Sequence, residues 1–233
     1  MKPAPLLVVR PEPGNAATLA AASALGLPAH GDPLFEVVPV AWIAPPAAGF
    51  DSVLIGSANV LRHGGEALVG YATLPAYVVG QATAEAARQA GFAVAAVGCG
   101  GLQGLVARLA EDGRHRVLRL AGAEHVPLAI PTDAAIETVV VYEARPLPLR
   151  ATIVALLGQN AVVMLHSAAA ARHLAAECDR LSIARHNVAL ACIGPRVGAA
   201  SGEGWASVAS AERPDDTALL ALAARMCQNP RFG

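Results

Sequence analysis

Phe50 to His63, FDSVLIGSANVLRH, aligns without a gap on Asn160 to His173, NAVVMLHSAAAARH, an offset of 110 residues. In each copy an apolar, partly β-branched run stops at a serine, Ser57 or Ser167, and an alanine-bearing segment closes on Arg62-His63 or Arg172-His173. Each copy reads strand, turn, helix. A weaker pair follows: Ala76 to Phe92 resembles Leu190 to Trp205 with one gap, both as strand, glycine, helix, then Gly-aromatic. A repeat this long predicts two similar lobes facing each other, with function in the cleft between them.

With 233 residues the chain has enough length for two domains, each burying its own core. Hydrophobic residues make up 55 % and charged ones 15 %, which excludes disorder; much of the excess is alanine, suited to helices packed closely on sheets. The net charge is −1, and no basic run of the kind that tracks a nucleic-acid backbone occurs, so no nucleic-acid partner is expected. The first apolar run, Leu6 to Val9, is far shorter than a signal-peptide core, and Ala151 to Leu165 is split by Gly158-Gln159-Asn160. The expectation is a soluble cytoplasmic protein with no membrane partner. Cys99, Cys178, Cys192 and Cys227 lack CxxC spacing and read as buried reduced thiols.

Leu6 to Val9 reads as a buried strand, followed by a turn at Pro11, Pro13 and Gly14 and a helix from about Ala16 to Leu25. Strands at Val53 to Ile55, Tyr77 to Val79, Val94 to Val97 and Val117 to Leu120 alternate with helices after Ser57, Thr83 and Gly101, which implies a parallel sheet. The stretch 122–137 is short and interrupted by proline, leaving little room for a closing helix. The latter half has a helix near Arg150 to Leu157, strands at Val162 to Leu165 and Val188 to Ile193, and a helix near Thr217 to Met226, but no opening strand of its own. Leu6 to Leu25 supplies one if the chain leaves the first lobe near Phe35, builds the second lobe whole and returns near Tyr142. The expected class is α/β: two similar lobes with parallel sheets flanked by helices, joined by a two-stranded hinge. One lobe is discontinuous (1–34 plus 146–233), the other inserted (40–138), with hinge strands near 35–39 and 139–145 and an antiparallel pairing expected there.

Loops after parallel strands gather at one sheet edge, where helix starts offer unpaired N–H groups and partial positive charge to anions. Ser57, Thr83 and Ser167 stand at or just inside such starts, where a hydroxyl either caps the helix or donates to a carboxylate. His63 and His173 lie six residues past the serines and read as surface or packing residues. No metal-ligand spacing, Walker loop or GxSxG elbow occurs, and GCGG at Gly98 to Gly101 lacks dinucleotide-fingerprint spacing.

Taken in order, Arg10-Pro11 after the opening strand, GSANVLRH (56–63), VGQATAEAARQAGF (79–92), VLRLAG (117–122), VYEARP (141–146), the Ser167 segment, IGPRVGAA (193–200) and RPDDTALLALA near the end resemble the uroporphyrinogen-III synthase family over most of the chain. That resemblance implies two α/β lobes on a two-stranded hinge, with the N-terminal unit belonging to the C-terminal lobe. It implies cyclisation of hydroxymethylbilane, a linear polycarboxylate tetrapyrrole, with loss of water and inversion of the last ring, on the way to haem. It implies no metal and no organic cofactor, a monomer, and transient contact with porphobilinogen deaminase. Tyr142 matches the hinge tyrosine proposed to assist departure of the terminal hydroxyl; a phenol with an ordinary pKa near 10 is protonated and able to donate. Arg10, Ser57, Thr83, Ser167, Gly194, Pro195 and Arg196 are the implied substrate-binding residues. Two positions depart from the pattern: Arg196-Val197 stands where relatives carry hydroxyls, and Gly56 where threonine is common. The alternatives are a non-catalytic two-lobed relative that binds a tetrapyrrole or small anion, and a hinged binding module of the periplasmic-receptor kind.

Overall fold

The computed structural model describes residues 3–228. Its strands are β1 (Leu6–Val8), β2 (Ala29–Gly31), β3 (Phe35–Pro39), β4 (Ser52–Ile55), β5 (Ala76–Val79), β6 (Val94–Gly98), β7 (Arg116–Gly122), β8 (Ala135–Pro146), β9 (Ala161–Leu165), β10 (Val188–Cys192) and β11 (Ser207–Ser210). Its helices are α1 (Gly14–Ala24), α2 (Asn59–His63), α3 (Gln81–Gln89), α4 (Gln103–Glu111), α5 (Ala151–Leu157), α6 (Ala168–Arg180), α7 (Pro195–Ala199) and α8 (Asp216–Gln228). The chain forms two compact units, the first from residues up to Glu36 together with those from Arg145 onward, the second from Val37–Ala144.

The first unit is a parallel sheet in the order β11-β10-β9-β1-β2. β9 and β10 are buried at every position, the continuous apolar run that a parallel strand covered on both faces requires. Alternation sorts their side chains: Val163 and Leu165 pack with Leu157 and Leu174, whereas Val162 and Met164 pack with Ala22 and Leu219. α6 buries Ala170, Ala171, Leu174, Ala175 and Cys178, a stripe at helical spacing that explains both its formation and its docking face. Each fully buried leucine contributes about 1.5–3 kcal/mol. β1, first in the chain, pairs in parallel with β9 and so supplies this unit's missing strand.

The second unit is a six-stranded sheet, β3-β8-β7-β4-β5-β6. Val53, Ile55, Leu118 and Leu120 face one core with Val60, Leu68 and Ala84, and Leu54, Tyr77 and Val117 face the other with Leu105 and Leu109 of α4. Matching β4 to β9 through the repeat brings β5 onto β10, β6 onto β11, β7 onto β1 and β8 onto β2, so the two sheets share one strand order. They differ in the connection after the inner strand. β1 leads into α1, but β7 leads into a strap, residues 123–134, that contains neither helix nor strand.

β3 and β8, which contain the segments expected as hinge strands, lie side by side at one edge of the six-stranded sheet, and β8, twelve residues long, also pairs in parallel with β7. Other local features differ from expectation. β2 and β11 are short, half-exposed edge strands without an apolar run to announce them. Thr83 is the third residue of α3, whose start is set three residues before it by Gly80 at φ 79°. Cys99 is exposed, against the expectation of a buried thiol, while Cys178, Cys192 and Cys227 are buried and burial raises each to a pKa of about 11. No helix among the described residues is long and apolar enough to cross a membrane.

Candidate functional site

Where the winding of a parallel sheet reverses, the connections leave to opposite sides and open a crevice at the strands' carboxyl ends. In the first unit the chain steps β9, β10, β11 one way and β1, β2 the other, so the reversal lies between β1 and β9. In the second it lies between β4 and β7.

At the β1/β9 reversal, Arg10 follows β1 and His166 follows β9. Arg10 is ion-paired with Asp216, the first residue of α8. His166 Nε2 stands 3.1 Å from the other Asp216 oxygen without the alignment of a hydrogen bond. Burial and then the positive charge of Arg10 push His166 down to about 4, against the pull of Asp216, and the imidazole is neutral at pH 7. Buried Asn15 fixes the backbone here by donating to the carbonyls of Val8 at 2.8 Å and Arg10 at 3.2 Å. Gly14 lets the guanidinium lie close to the chain, since a Cβ there would fall 2.6 Å from Arg10 Cζ. Ser167, exposed at the mouth, caps α6 by accepting from Ala170 N–H at 3.1 Å. With thirteen residues behind it, that helix start has a developed partial positive charge. The next strand end carries Gly194, Pro195 and Arg196 at the start of α7, with Arg196 exposed and unpaired among the described residues.

At the β4/β7 reversal, Ser57 follows β4 and accepts from Asn59 N–H at 3.2 Å. Opposite it, a register shift at the end of β7 places Gly122 beside Tyr142 of β8. The phenol lies close against that glycine: a Cβ on Gly122 would come within 2.6 Å of the ring and 2.9 Å of the hydroxyl. The Tyr142 hydroxyl makes no hydrogen bond among the described residues. His63 closes α2, with its ring centroid 6.4 Å from that of Tyr142, and burial, then Arg62, lower its pKa. His125 Nδ1 bonds the Gly122 carbonyl at 2.9 Å. Thr83 belongs to the neighbouring strand end, buried in the first turn of α3.

Of the residues singled out from sequence, Ser57 and Tyr142 therefore share one reversal, Arg10 and Ser167 the other, and Thr83 and the 194–196 loop flank them on β5 and β10. His63, read as a surface or packing residue, packs its ring beside Tyr142, at the end of the five-residue α2. His173 does pack: its Nε2 meets the Leu147 carbonyl at 2.8 Å and its ring tilts on Phe35. His166 and Asp216 were not singled out, although His166 directly precedes the repeat serine and Asp216 lies in the RPDD motif. Among the described residues no three His, Cys, Asp or Glu side chains gather as metal ligands.

The fold is shared with solved uroporphyrinogen-III synthases. That from Helicobacter pylori 26695 aligns at TM-score 0.62 and 17 % identity, covering 97 % of this chain and 100 % of its own. A mutant of the enzyme from Thermus thermophilus aligns at 0.56 and 17 %, covering 97 % and 99 %. No curated protein matches in sequence. The family model described as uroporphyrinogen-III synthase HemD matches residues 16–221, nearly the whole chain, and the protein belongs to that family.

Proposed function

We propose that the protein is a uroporphyrinogen-III synthase, closing hydroxymethylbilane with loss of water and inversion of its last ring. The observation that carries this reading is the Tyr142 phenol laid on Gly122 at a winding reversal, its hydroxyl uncommitted and Ser57 at the facing strand end. Carboxylate arms suit the N–H groups of α6 with the Ser167 hydroxyl in the first unit, and those of α3 with the hydroxyls of Ser57 and Thr83 in the second; each such contact contributes about 0.3–1 kcal/mol. Arg196 adds a cation at the β10 loop, in place of the hydroxyls that relatives carry there. Arg10 acts through Asp216, which already occupies its guanidinium.

Tyr142 donates its proton as the terminal carbon–oxygen bond breaks, so the hydroxyl departs as water and leaves an electrophilic methylene that the far end of the chain attacks; the proton released as the ring closes restores the phenol. Because such a bilane also closes unaided without inversion, the protein's task is chiefly to select a geometry, and about 1.4 kcal/mol of preference changes the isomer ratio tenfold. Tyr142→Phe removes the proton while keeping the ring on Gly122. Turnover of hydroxymethylbilane should fall about 10- to 100-fold with circular dichroism and melting unchanged; equal turnover in the two proteins would strip Tyr142 of its role.

A further inference from the structure

Arg119 lies in the middle of β7, in register with Leu54, on the sheet face that carries Val117, Tyr77 and α4. It is only 4 % exposed. Its Nη2 donates to the Val126 carbonyl of the strap at 2.9 Å, while its Nε is sealed from solvent and has no partner. No carboxylate lies within ion-pair distance among the described residues, and burial alone lowers its pKa, with no acidic neighbour opposing it. A buried guanidinium without a counter-ion is costly, and chains seldom keep one unless an anion completes it. In the other unit the equivalent position is Val8, in register with Met164 and wholly buried.

We propose that Arg119 is a recessed carboxylate receptor of the second unit, closed by the strap and completed when an acetate- or propionate-type group binds its free Nε–H edge. The strap is suited to admit one. It is held by Gln103, which donates to the Ala129 carbonyl at 3.0 Å and accepts from its N–H at 2.9 Å, by the Arg119 bond itself, and at its start by the Ala123 N–H donating to the Tyr142 carbonyl at 2.9 Å. Its Val126 and Ile130 are 75 % and 46 % exposed, and only Leu128 packs on the apolar cluster beneath, so lifting it gives up the partial burial of one leucine. A planar carboxylate matches the guanidinium edge in two parallel hydrogen bonds. Assigning the ligand in turnover to one arm of hydroxymethylbilane rests on the synthase reading; the receptor itself does not.

The test uses the full chain labelled with 15N-arginine, with the Nε–H resonance of Arg119 identified by its loss in Arg119→Lys. Sodium propionate is titrated against sodium chloride at equal ionic strength. A saturable shift of that resonance with propionate and not chloride is expected. The likewise unpartnered Nε groups of Arg114 and Arg185 should stay still, since Arg114 contacts the Asp51 carbonyl and Arg185 pairs with Asp179. No shift, or an equal shift with chloride, overturns the receptor. In turnover, Arg119→Met should raise KM for hydroxymethylbilane about 10-fold or more with kcat retained; an unchanged KM also overturns the assignment to the substrate arm. Failure to form any type III product would instead count against the synthase reading and leave the propionate result standing.

Discussion

The two units carry the same strand order but treat their inner strands in opposite ways. On β1, Val8 is covered by α1, and the cation two residues on, Arg10, is matched by Asp216 with neutral His166 beside it. On β7, the position of Val8 is taken by Arg119, the covering helix is replaced by the strap, and no acid answers the charge. One sheet thus completes its electrostatics internally, while its counterpart leaves a cation under an irregular cover on one face and an uncommitted phenol against the other. The shared strand order is kept where packing demands it, and the two units diverge around Arg119 and its cover.

Exchanging the two inner positions tests that contrast most severely. Val8→Arg places an unpaired charge under a packed helix and should destabilise the protein by about 3–5 kcal/mol or prevent folding, whereas Arg119→Met should leave stability unchanged or raised; urea denaturation of both variants decides it, and equal losses would erase the distinction. The two glycines come next. Gly122→Ala drives a methyl into the Tyr142 ring and should cost about 1–3 kcal/mol together with most of the turnover. Gly14→Ala meets only the movable end of Arg10 and should cost less than about 1 kcal/mol; comparable losses in both would show that the phenol's seat is not special.

The paired cluster of the first unit predicts a pH response. Native His166 titrates at about 4 and an unfolded histidine near 6.5, so the unfolded chain takes up the proton first as pH falls. Stability from this group is intact above about 6.5 and declines toward pH 4, by roughly 2–4 kcal/mol. Asp216→Asn removes the one upward influence and should lower the His166 pKa further, as followed by its ring resonances; a rise instead would contradict the assigned contacts. The smallest expected difference lies in the repeated serines. Ser167→Ala should cost about 1 kcal/mol through its cap on α6. Ser57→Ala, beside the five-residue α2, should cost less, and a melting comparison with equal losses would remove the asymmetry.

Much of this was legible in the sequence for a physical reason. Strands buried on both faces must be continuously apolar, so β4, β5, β9 and β10 announced themselves, and the serines marked where the chain turns into helices. Edge strands β2 and β11 are too short and polar to carry such a signal. The length of α2 was not legible either, so counting six residues from Ser57 did not reveal that His63 packs beside Tyr142. Arg119 was visible within VLRLAG, but only pairing register reveals that its neighbours are apolar and that it lies beneath the strap. Asp216 likewise needs the fold, because its partner Arg10 is 206 residues away in sequence.

The most direct test is to add the purified protein to freshly prepared hydroxymethylbilane and determine which porphyrinogen isomer accumulates. Predominant type III, above the type I that forms unaided, is the predicted result. Type I alone, at the rate seen without protein, would contradict it.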